Sequence, residues 1–453
     1  MERRVAVVGG GLAGITAALD CADAGANVSL LEVRPRLGGA VYSFERDGLC
    51  LDNGQHVFLR CCVAYRALLG RLGSERRVHI QPRLEIPVLK PGEDPVVLRR
   101  GSLPAPLHLA GALARYRHIS LPQRAGAARA ALALARVGAD ADGGEEQTLG
   151  AWLAERGQSS ATISALWDLI ALPTLNLPAS EASLALGAFV FRTGLLTRAD
   201  AGDIGFHDRP LGETIGEPAL RALANAGVDV RLGWRAARLK GVGERLEVHG
   251  GPSEVSADTV IVALPHARAA ALLEELAPEL ARRAGGLAAS PIINLHVVYD
   301  RRVCDLPFAA GVGTPVQYVF DRTAAARAPE GCQCLAISLS GAEREMAMSV
   351  QTLRERYLHA LAELFPRARE ARVERFVVTR EHAATFRATP GARSLRPGPH
   401  TRVPGLYLAG AWTDTGWPAT LEGAVLSGHA AAAAALGELS LGPPVGHTMA
   451  GVR

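Results

Sequence analysis

The apolar positions at the start of the chain follow two rhythms. Val5-Ala6-Val7-Val8 and Asn27-Val28-Ser29-Leu30-Leu31 are short runs of strand length, the pattern of strands buried on both faces. Between them Ile15 to Ala24 reads as a helix, so the opening is strand, turn, helix, strand. Ala64 to Leu72 again has helical spacing. Leu84-Glu85-Ile86-Pro87-Val88-Leu89 and Pro95-Val96-Val97-Leu98 predict two strands with a turn at Pro91-Gly92. From Pro104 to Val137 the composition is helical, with Leu107, Leu109, Leu113, Ile119 and Leu121 interleaved with His108, Arg115, Arg117 and His118. That stretch is either a pair of ordinary amphipathic helices or an interfacial helix whose arginines meet lipid phosphate.

Gly138 to Gly144 reads as a polar linker. A helical region runs from Thr148 through Trp167 and Leu172, breaks from Pro173 to Ser183 with Ser180 as a cap, and resumes from Leu184 to Thr193. This block carries few charges, as a region shaping an apolar cavity would. Further on, Glu217 to Ala226 is a helix, and Gly227 to Leu232, Ala237 to Lys240, Leu246 to Val248 and Asp258 to Ala263 are strands. His266 to Leu287 is helical. Ile292 to Tyr299, Val316 to Phe320 and Cys334 to Leu339 are strands, and Thr352 to Phe365 is a long helix. A last strand, Gly405 to Gly410, leads through a turn into a helix that reaches Ala435.

Composition narrows the picture. With 453 residues and 48% apolar content the chain can bury a large core, and its length suggests two or three domains. The balance of 49 basic to 45 acidic residues is too even to argue for nucleic acid. Seven cysteines, two of them adjacent at Cys61-Cys62 and two more in Cys332-x-Cys334, suit neither zinc pairs nor a disulfide framework. They are expected to be reduced thiols of a cytoplasmic protein, and no metal is expected. The apolar run inside Met1 to Leu12 is too short for a secretion signal. Nothing approaches the roughly twenty apolar residues of a membrane span, so membrane contact is expected only at the periphery.

The chemistry begins in the first turn. Gly9-Gly10-Gly11-Leu12-Ala13-Gly14 stands between a strand and a helix, the context of a dinucleotide fingerprint. Gly9 permits the turn, Gly11 admits a pyrophosphate to backbone N–H groups at the helix start, and Gly14 lets helix and strand pack closely. Glu32 follows eighteen residues after Gly14, where a carboxylate can accept from both ribose hydroxyls.

Glu32-Val33-Arg34-Pro35-Arg36-Leu37-Gly38-Gly39, with Asp52-Asn53-Gly54-Gln55-His56, resembles the FAD-binding opening of the amine oxidase and carotenoid desaturase superfamily. Gly405 to Gly410, the turn Ala411 to Pro418, and the helix opening Ala419-Thr420-Leu421-Glu422-Gly423 resemble its closing motif, whose helix start faces the flavin ring. The resemblance implies an α/β chain: a Rossmann-like FAD-binding domain of residues 1–85, 205–265 and 390–440, an inserted α+β substrate domain of 86–204 and 266–389, and a tail of 441–453. It implies FAD contacts at Gly9, Gly11, Leu12, Ala13, Gly14, Glu32, Val33, Arg34, Arg36, Gly38, Gly39, Gly54, Gln55, His56, Val230, Gly410, Ala411, Ala419, Thr420 and Leu421. Amide donors at the closing helix would stabilise charge on reduced flavin. The family usually has an aspartate where this chain has Ala411, and Asp414 stands close enough to compensate.

The same Asp52–His56 segment, Leu172-Pro173-Thr174-Leu175-Asn176, and the stretch from Trp412 to Gly423 are similar to the squalene-associated flavoproteins of bacterial hopanoid synthesis, the hydroxysqualene dehydroxylases. That implies reduction of hydroxysqualene to squalene. Loss of hydroxide from an allylic carbon needs an acid, and the cation-like intermediate needs a dry, aromatic-faced pocket. The candidate acids are His56, Asp414 and Glu422, and the candidate pocket faces are Trp412 and Trp417. Each has a plainer reading: His56 as a hydrogen-bonding partner of backbone or flavin, Asp414 as a turn cap, Glu422 as a first-turn acid favoured by the helix dipole, and the tryptophans as packing. Arg60 and Arg387 either balance cofactor charge or are solvated.

A desaturase running hydride the other way would share every cofactor motif, and a non-catalytic terpenoid-binding flavoprotein would share most of them. An amine oxidase is disfavoured because neither Lys90 nor Lys240 lies where it could stand beside the flavin. The expected partners are a lipophilic isoprenoid substrate, an external electron donor (NADPH or a reductase) and upstream enzymes of the squalene pathway. No second nucleotide fingerprint is present.

Overall fold

The computed structural model describes residues 3–138, 146–251 and 253–438. The expected linker, from residue 139 on, and the tail of 441–453 lie outside the described residues. The opening apolar runs become the middle of a five-stranded sheet in the order Asp229–Leu232, Asn27–Glu32, Arg4–Val8, Thr259–Val262, Leu406–Leu408. Every pairing is parallel, with Val5 opposite both Val28 and Thr259, Val230 opposite Leu30, and Ile261 opposite Tyr407. Two helices cover one face, Leu12–Asp23 and Leu421–Glu438. They approach so closely that a Cβ at Gly428 would stand 2.4 Å from the Ala13 carbonyl oxygen. A glycine there is what lets the last helix dock on the first.

Four further sheets are present among the described residues, and two of them frame the rest of the fold. Ala236–Val242, Arg245–Gly250 and Ser253–Ala257 form a small antiparallel meander, whose third strand was not expected. A seven-stranded sheet runs in the order Val373–Phe386, Ala289–Tyr299, Gln333–Ser340, Tyr318–Asp321, Phe308–Gly311, Glu85–Leu89, Val96–Arg99. Along Ala289–Tyr299 the side chains alternate between faces. Ile293, Leu295, Val297 and Tyr299 pack with Leu353, Tyr357, Ala360 and Leu361 of the Val350–Leu364 helix. Asn294 therefore faces the other way, toward Asn53, and His296 shares that face.

The helical block departs from expectation in an instructive way. Pro173 does not end the helix; it lies inside Asp168–Leu175, and the break falls at Asn176, which has φ +53°. Proline leaves the carbonyl four residues earlier without its helical donor, and here the Tyr318 hydroxyl supplies one, 2.8 Å from the Leu169 oxygen. The following helix, Leu184–Phe191, starts at Ser183 and not Ser180. Tyr318→Phe is expected to lower the unfolding free energy by about 1–3 kcal/mol, because it orphans a buried carbonyl; a denaturant midpoint equal to wild type would reject this.

The stretch from Pro104 resolves into a turn at Leu107–Leu109 and the helices Ala110–Arg115 and Leu121–Leu134, the latter opened by a Ser120/Gln123 capping box. Leu103, Leu107 and Leu121 are 55%, 59% and 71% exposed. No helix among the described residues is long and apolar enough to cross a membrane.

Candidate active site

The glycine turn is shaped as its spacing predicts. Gly9 has φ +114°, and a Cβ at Gly14 would lie 1.9 Å from the Gly9 oxygen. The Leu12–Asp23 helix begins at Gly11 with no side-chain cap and no acid in its first turn, so its first N–H groups and positive dipole end are left for an anion. The Gly38 N–H donates to the Gly10 carbonyl at 2.9 Å, laying the second glycine pair over the first. A Cβ at Gly39 would come within 2.8 Å of Gly11 Cα. Glu32 is buried, and its two oxygens accept from the N–H groups of Gly10 and Arg34, each at 2.7 Å. Each oxygen keeps a lone pair for a ribose hydroxyl. This two-sided glycine cradle fits the pyrophosphate and ribose of a dinucleotide flavin. Val33 and Arg34 are exposed beside it, and Val230 is half-buried two positions before Leu232, the partner of Glu32 in the sheet.

Arg36 bends back to the Gly39 carbonyl at 3.2 Å and lies over the Tyr42 ring at 3.6 Å. Tyr42 leads into a polar junction that sequence reasoning missed. Its hydroxyl donates to Glu381, as does the Asn53 amide, both at 3.1 Å. Asn53 also reaches the Ala40 carbonyl at 2.9 Å, and its own carbonyl accepts from Asn294 and Thr379 at 2.9 and 3.1 Å. Glu381 sits on the Val373–Phe386 strand, where neighbouring Arg375, Arg380 and His382 make its charge look like one more solvated position. No sequence signal separated it from them.

His56 stands beside this junction, its Nε2 3.5 Å from the place a Cβ would occupy on Gly54. Burial pushes its imidazole below the ordinary range, against the opposing pull of Asp52, Glu381 and the Ala40 carbonyl. At neutral pH it is therefore uncharged. Its backbone carbonyl accepts from His207 Nδ1 at 2.7 Å, and His207 Nε2 accepts from the Tyr65 hydroxyl at 2.7 Å. Burial pushes His207 down to about 3, so this pair is a neutral structural brace.

The closing turn is built around a residue outside the predicted set. Arg396 is buried and donates to the carbonyls of Trp412, Thr413 and Trp417 at 3.1, 2.6 and 2.7 Å. Gly410 has φ +134°, and its N–H donates to Ser427 Oγ at 2.8 Å. The Leu421–Glu438 helix is capped by Thr420, whose hydroxyl accepts from Gly423 N–H at 3.1 Å. Ala411 and Ala419 are half-buried on either side of the turn.

Several expected roles change here. Glu422 does not face the cleft as an acid: its oxygens accept from Ala64 and Tyr65 N–H at 3.0 and 2.7 Å, capping the Val63–Arg71 helix. Burial raises its carboxyl pKa while those N–H groups oppose the rise. Asp414 is a turn cap, accepting from Gly416 N–H at 3.2 Å with Arg393 3.7 Å away. Trp412 is core, its indole N–H bound to the Leu264 carbonyl at 2.9 Å. Trp417 is half-buried, packs against the core beneath the first helix and meets Phe189 edge-on at 5.1 Å. Arg60 is held by Asp203 and Arg387 by Glu181 and Glu343, so neither is a solvated spare cation. The only grouping of metal-capable side chains among the described residues, Glu247, His249 and Glu254, lies on the small meander.

Comparison with known proteins agrees with this architecture. The model of the family described as flavin containing amine oxidoreductase matches residues 12–436. A hydroxysqualene dehydroxylase of Rhodopseudomonas palustris is 29% identical over 95% of this chain and 98% of its own length. A 15-cis-phytoene desaturase of Narcissus pseudonarcissus is 25% identical over 94% of this chain and 78% of its own. Among solved structures, cyclohexylamine oxidase from Brevibacterium oxydans superposes with a TM-score of 0.73 at 18% identity, covering 97% of this chain and all of that one (100%). Putrescine oxidase bound to putrescine gives 0.71 at 19% identity, covering 96% and 99%. With a glycine cradle in a parallel sheet and a family match over nearly its whole length, the chain belongs to the flavin containing amine oxidoreductases and is a flavin-dependent oxidoreductase.

Proposed function

We propose that the protein is an FAD-dependent hydroxysqualene dehydroxylase, reducing hydroxysqualene to squalene on a hopanoid or triterpenoid route. The observation that carries this reading is the end-to-end similarity to relatives named for that reaction. Bound FAD, once reduced, supplies the hydride. The chain must bind the lipid, protonate the departing oxygen and keep water from the allylic cation. His56, neutral and beside Glu381 and Asp52, is suited to relay that proton. Trp417 with Phe189, and the run of Phe206, Phe308, Phe320 and Tyr318 with successive ring centroids 5.0 to 6.2 Å apart, supply aromatic faces for a delocalised cation. The division into an FAD-binding part and an inserted substrate part, with the boundaries given above, belongs to the same proposal.

A desaturase is the second reading, favoured by the similarity to 15-cis-phytoene desaturases over 94% of the chain or more. An anaerobic experiment separates the two. Flavin reduced photochemically and mixed with hydroxysqualene should reoxidise as squalene forms. Bleaching of oxidised flavin by a polyene, with no reoxidation by the alcohol, would give the desaturase first place. The electron donor belongs to the same proposal: NADPH alone should reduce the flavin slowly, with a partner reductase required for rapid turnover.

A lipid substrate also gives a role to the exposed leucines at 103, 107 and 121 near Arg115 and Arg117. We place this surface at the inner face of the cytoplasmic membrane, leucines in the acyl boundary and arginines at anionic headgroups. The protein should cosediment with anionic vesicles, and Arg115→Gln with Arg117→Gln should weaken this about thirtyfold, on the order of 1 kcal/mol for each of the two charges. Equal sedimentation of the double variant would return the stretch to ordinary helix.

A further inference from the structure

Cys61 and Cys62 are neighbours in sequence and stand at the corner where the Phe58–Leu59 strand turns into the Val63–Arg71 helix. All seven cysteines are free thiols, and five of them, Cys62 included, are buried. Cys61 and Cys332 are half-buried. Cys61 is thus a thiol that a small reagent can reach, with a second, sheltered thiol on the very next residue.

The backbone holds this corner. The Cys61 N–H donates to the Ala201 carbonyl at 3.1 Å and the Cys62 N–H to the Leu59 carbonyl at 2.9 Å. The Val63 N–H donates to the Cys61 carbonyl at 2.9 Å, with Cys62 at φ −77° and ψ 73°, an inverse γ-turn. Cys62 occupies the cap position of the helix but its side chain caps nothing, because the Glu422 carboxylate takes the N–H groups of Ala64 and Tyr65. The two sulfurs differ in character. A hydrogen bond from the Cys62 thiol holds Cys61 below the ordinary thiol range, helped by its own backbone N–H and Arg198 and opposed by burial and Glu422. The same bond, with burial, pushes Cys62 well above that range. Burial pushes Cys21, Cys50 and Cys334 up to about 12. Thiolate, the nucleophilic form, therefore forms on the reachable member of the pair.

We propose that Cys61 and Cys62 are a thiol–disulfide exchange site, which takes a small-molecule disulfide as oxidant and closes to a disulfide between the two neighbours. The Cys61 thiolate attacks one sulfur of the small disulfide; that S–S bond breaks, a mixed disulfide forms on Cys61, and one small thiolate leaves. It takes up the Cys62 proton. The Cys62 sulfur then attacks Cys61 Sγ and expels the second small thiolate. The two cysteines are oxidised by two electrons, and one small disulfide is reduced to two thiols. Neighbouring Cα atoms are about 3.8 Å apart, nearer than the roughly 4.4–6.8 Å of ordinary bridges. The closed ring is therefore strained, and an excess of small thiol reopens it.

The test mixes the flavin-loaded full chain, reduced and freed of small thiols, with oxidised glutathione, quenches with an alkylating agent and reads the peptide masses. In wild type the peptide that holds both cysteines should become two hydrogens lighter and keep no glutathione. Cys62→Ser should stop at a stable glutathione adduct on Cys61. Cys61→Ser should slow the reaction of this peptide about tenfold or more, since the thiol that remains is buried and ionises later. Reduced glutathione should return the wild-type pair to two thiols. Should Cys62→Ser fail to fold, a time course of wild type decides, with the Cys61 adduct rising and falling before the lighter peptide appears. Glutathione retained on wild-type Cys61 without closure, Cys332 reacting ahead of Cys61, or no reaction at the pair would each overturn the inference.

Discussion

Gly14→Ala should give a protein that carries less than about a tenth of the wild-type flavin, a loss of more than about 1.4 kcal/mol in cofactor affinity, and that folds poorly. The added methyl would sit 1.9 Å from the Gly9 carbonyl oxygen and 3.3 Å from Ala263 Cβ. The first obstacle is backbone, with no rotamer that moves it aside. Relief requires shifting the helix off the central strand, which carries the N–H groups of the helix start away from the pyrophosphate they would hold. Gly25→Ala is the clash-free control: Gly25 has positive φ, +82°, unlike helical Gly14, but an added Cβ meets nothing within 4 Å. It should cost only the roughly 1–2 kcal/mol of a left-handed alanine and leave flavin content intact. Visible flavin absorbance per protein and the denaturant midpoint are the readouts, and equal flavin retention by the two variants would sink the argument.

Asp203→Leu should cost about 3–5 kcal/mol of folding stability, the usual penalty for removing one partner from a buried charge cluster. The Asp203 side chain is fully buried and is gripped by Arg60 Nε at 3.0 Å, by Arg100 Nε and Nη2 at 2.6 and 2.9 Å, and by the Leu84 N–H at 2.7 Å. Without it two largely buried guanidinium groups face each other at the joint between the 204–207 strand and the start of the large sheet. Burial alone would raise the carboxyl pKa, but the two arginines and the Leu84 N–H outweigh it, and the net shift is downward. A folded pKa below the unfolded one means stability present above the unfolded carboxylate range and lost as pH falls through the folded value. Wild type should therefore lose stability on acidification more steeply than the variant. Urea melts at neutral and acid pH test both statements; a neutral-pH difference under about 1 kcal/mol would contradict the first.

The parts of the fold written as continuous apolar runs were legible: the central strands of the parallel sheet, Arg4–Val8 and Thr259–Val262, follow from such runs, because burial on both faces leaves few polar positions to confuse the reading, while the edge strand Asp229–Leu232 shows instead an alternation of polar and apolar residues. The cofactor cradle was legible because Gly9, Gly14 and Gly39 are dictated by backbone clashes that no other residue survives. The Val373–Phe386 strand was not, since an edge strand half-open to solvent carries Glu374, Arg375, Arg380 and His382 and mimics a loop. Pro173 misled because its helix is rescued by a tyrosine hydroxyl 145 residues away in sequence, from Tyr318 to Pro173. The site's polar groups were the least legible. Glu422 and Asp414 sit in the closing motif yet cap backbone, whereas Glu381 and Arg396 lie outside any motif and face the centre. Which way a carboxylate points depends on contacts hundreds of residues apart, and spacing along the chain carries no information about it.

The strand order of the parallel sheet has a consequence for how the chain is made. Its first strand pairs with residues 259–262, which in turn pair with residues 406–408. At a synthesis rate of about 5–20 residues per second, roughly 20–80 seconds separate the emergence of the first strand from that of the last. Until Thr259–Val262 emerges the first strand has a bare apolar edge, after that Thr259–Val262 presents one itself, and throughout the Leu12–Asp23 helix lacks the Gly428 surface that will cover it. The nascent protein is thus a long-lived client for holding chaperones, and its yield in a foreign host should depend more on their supply than on the stability of the finished enzyme.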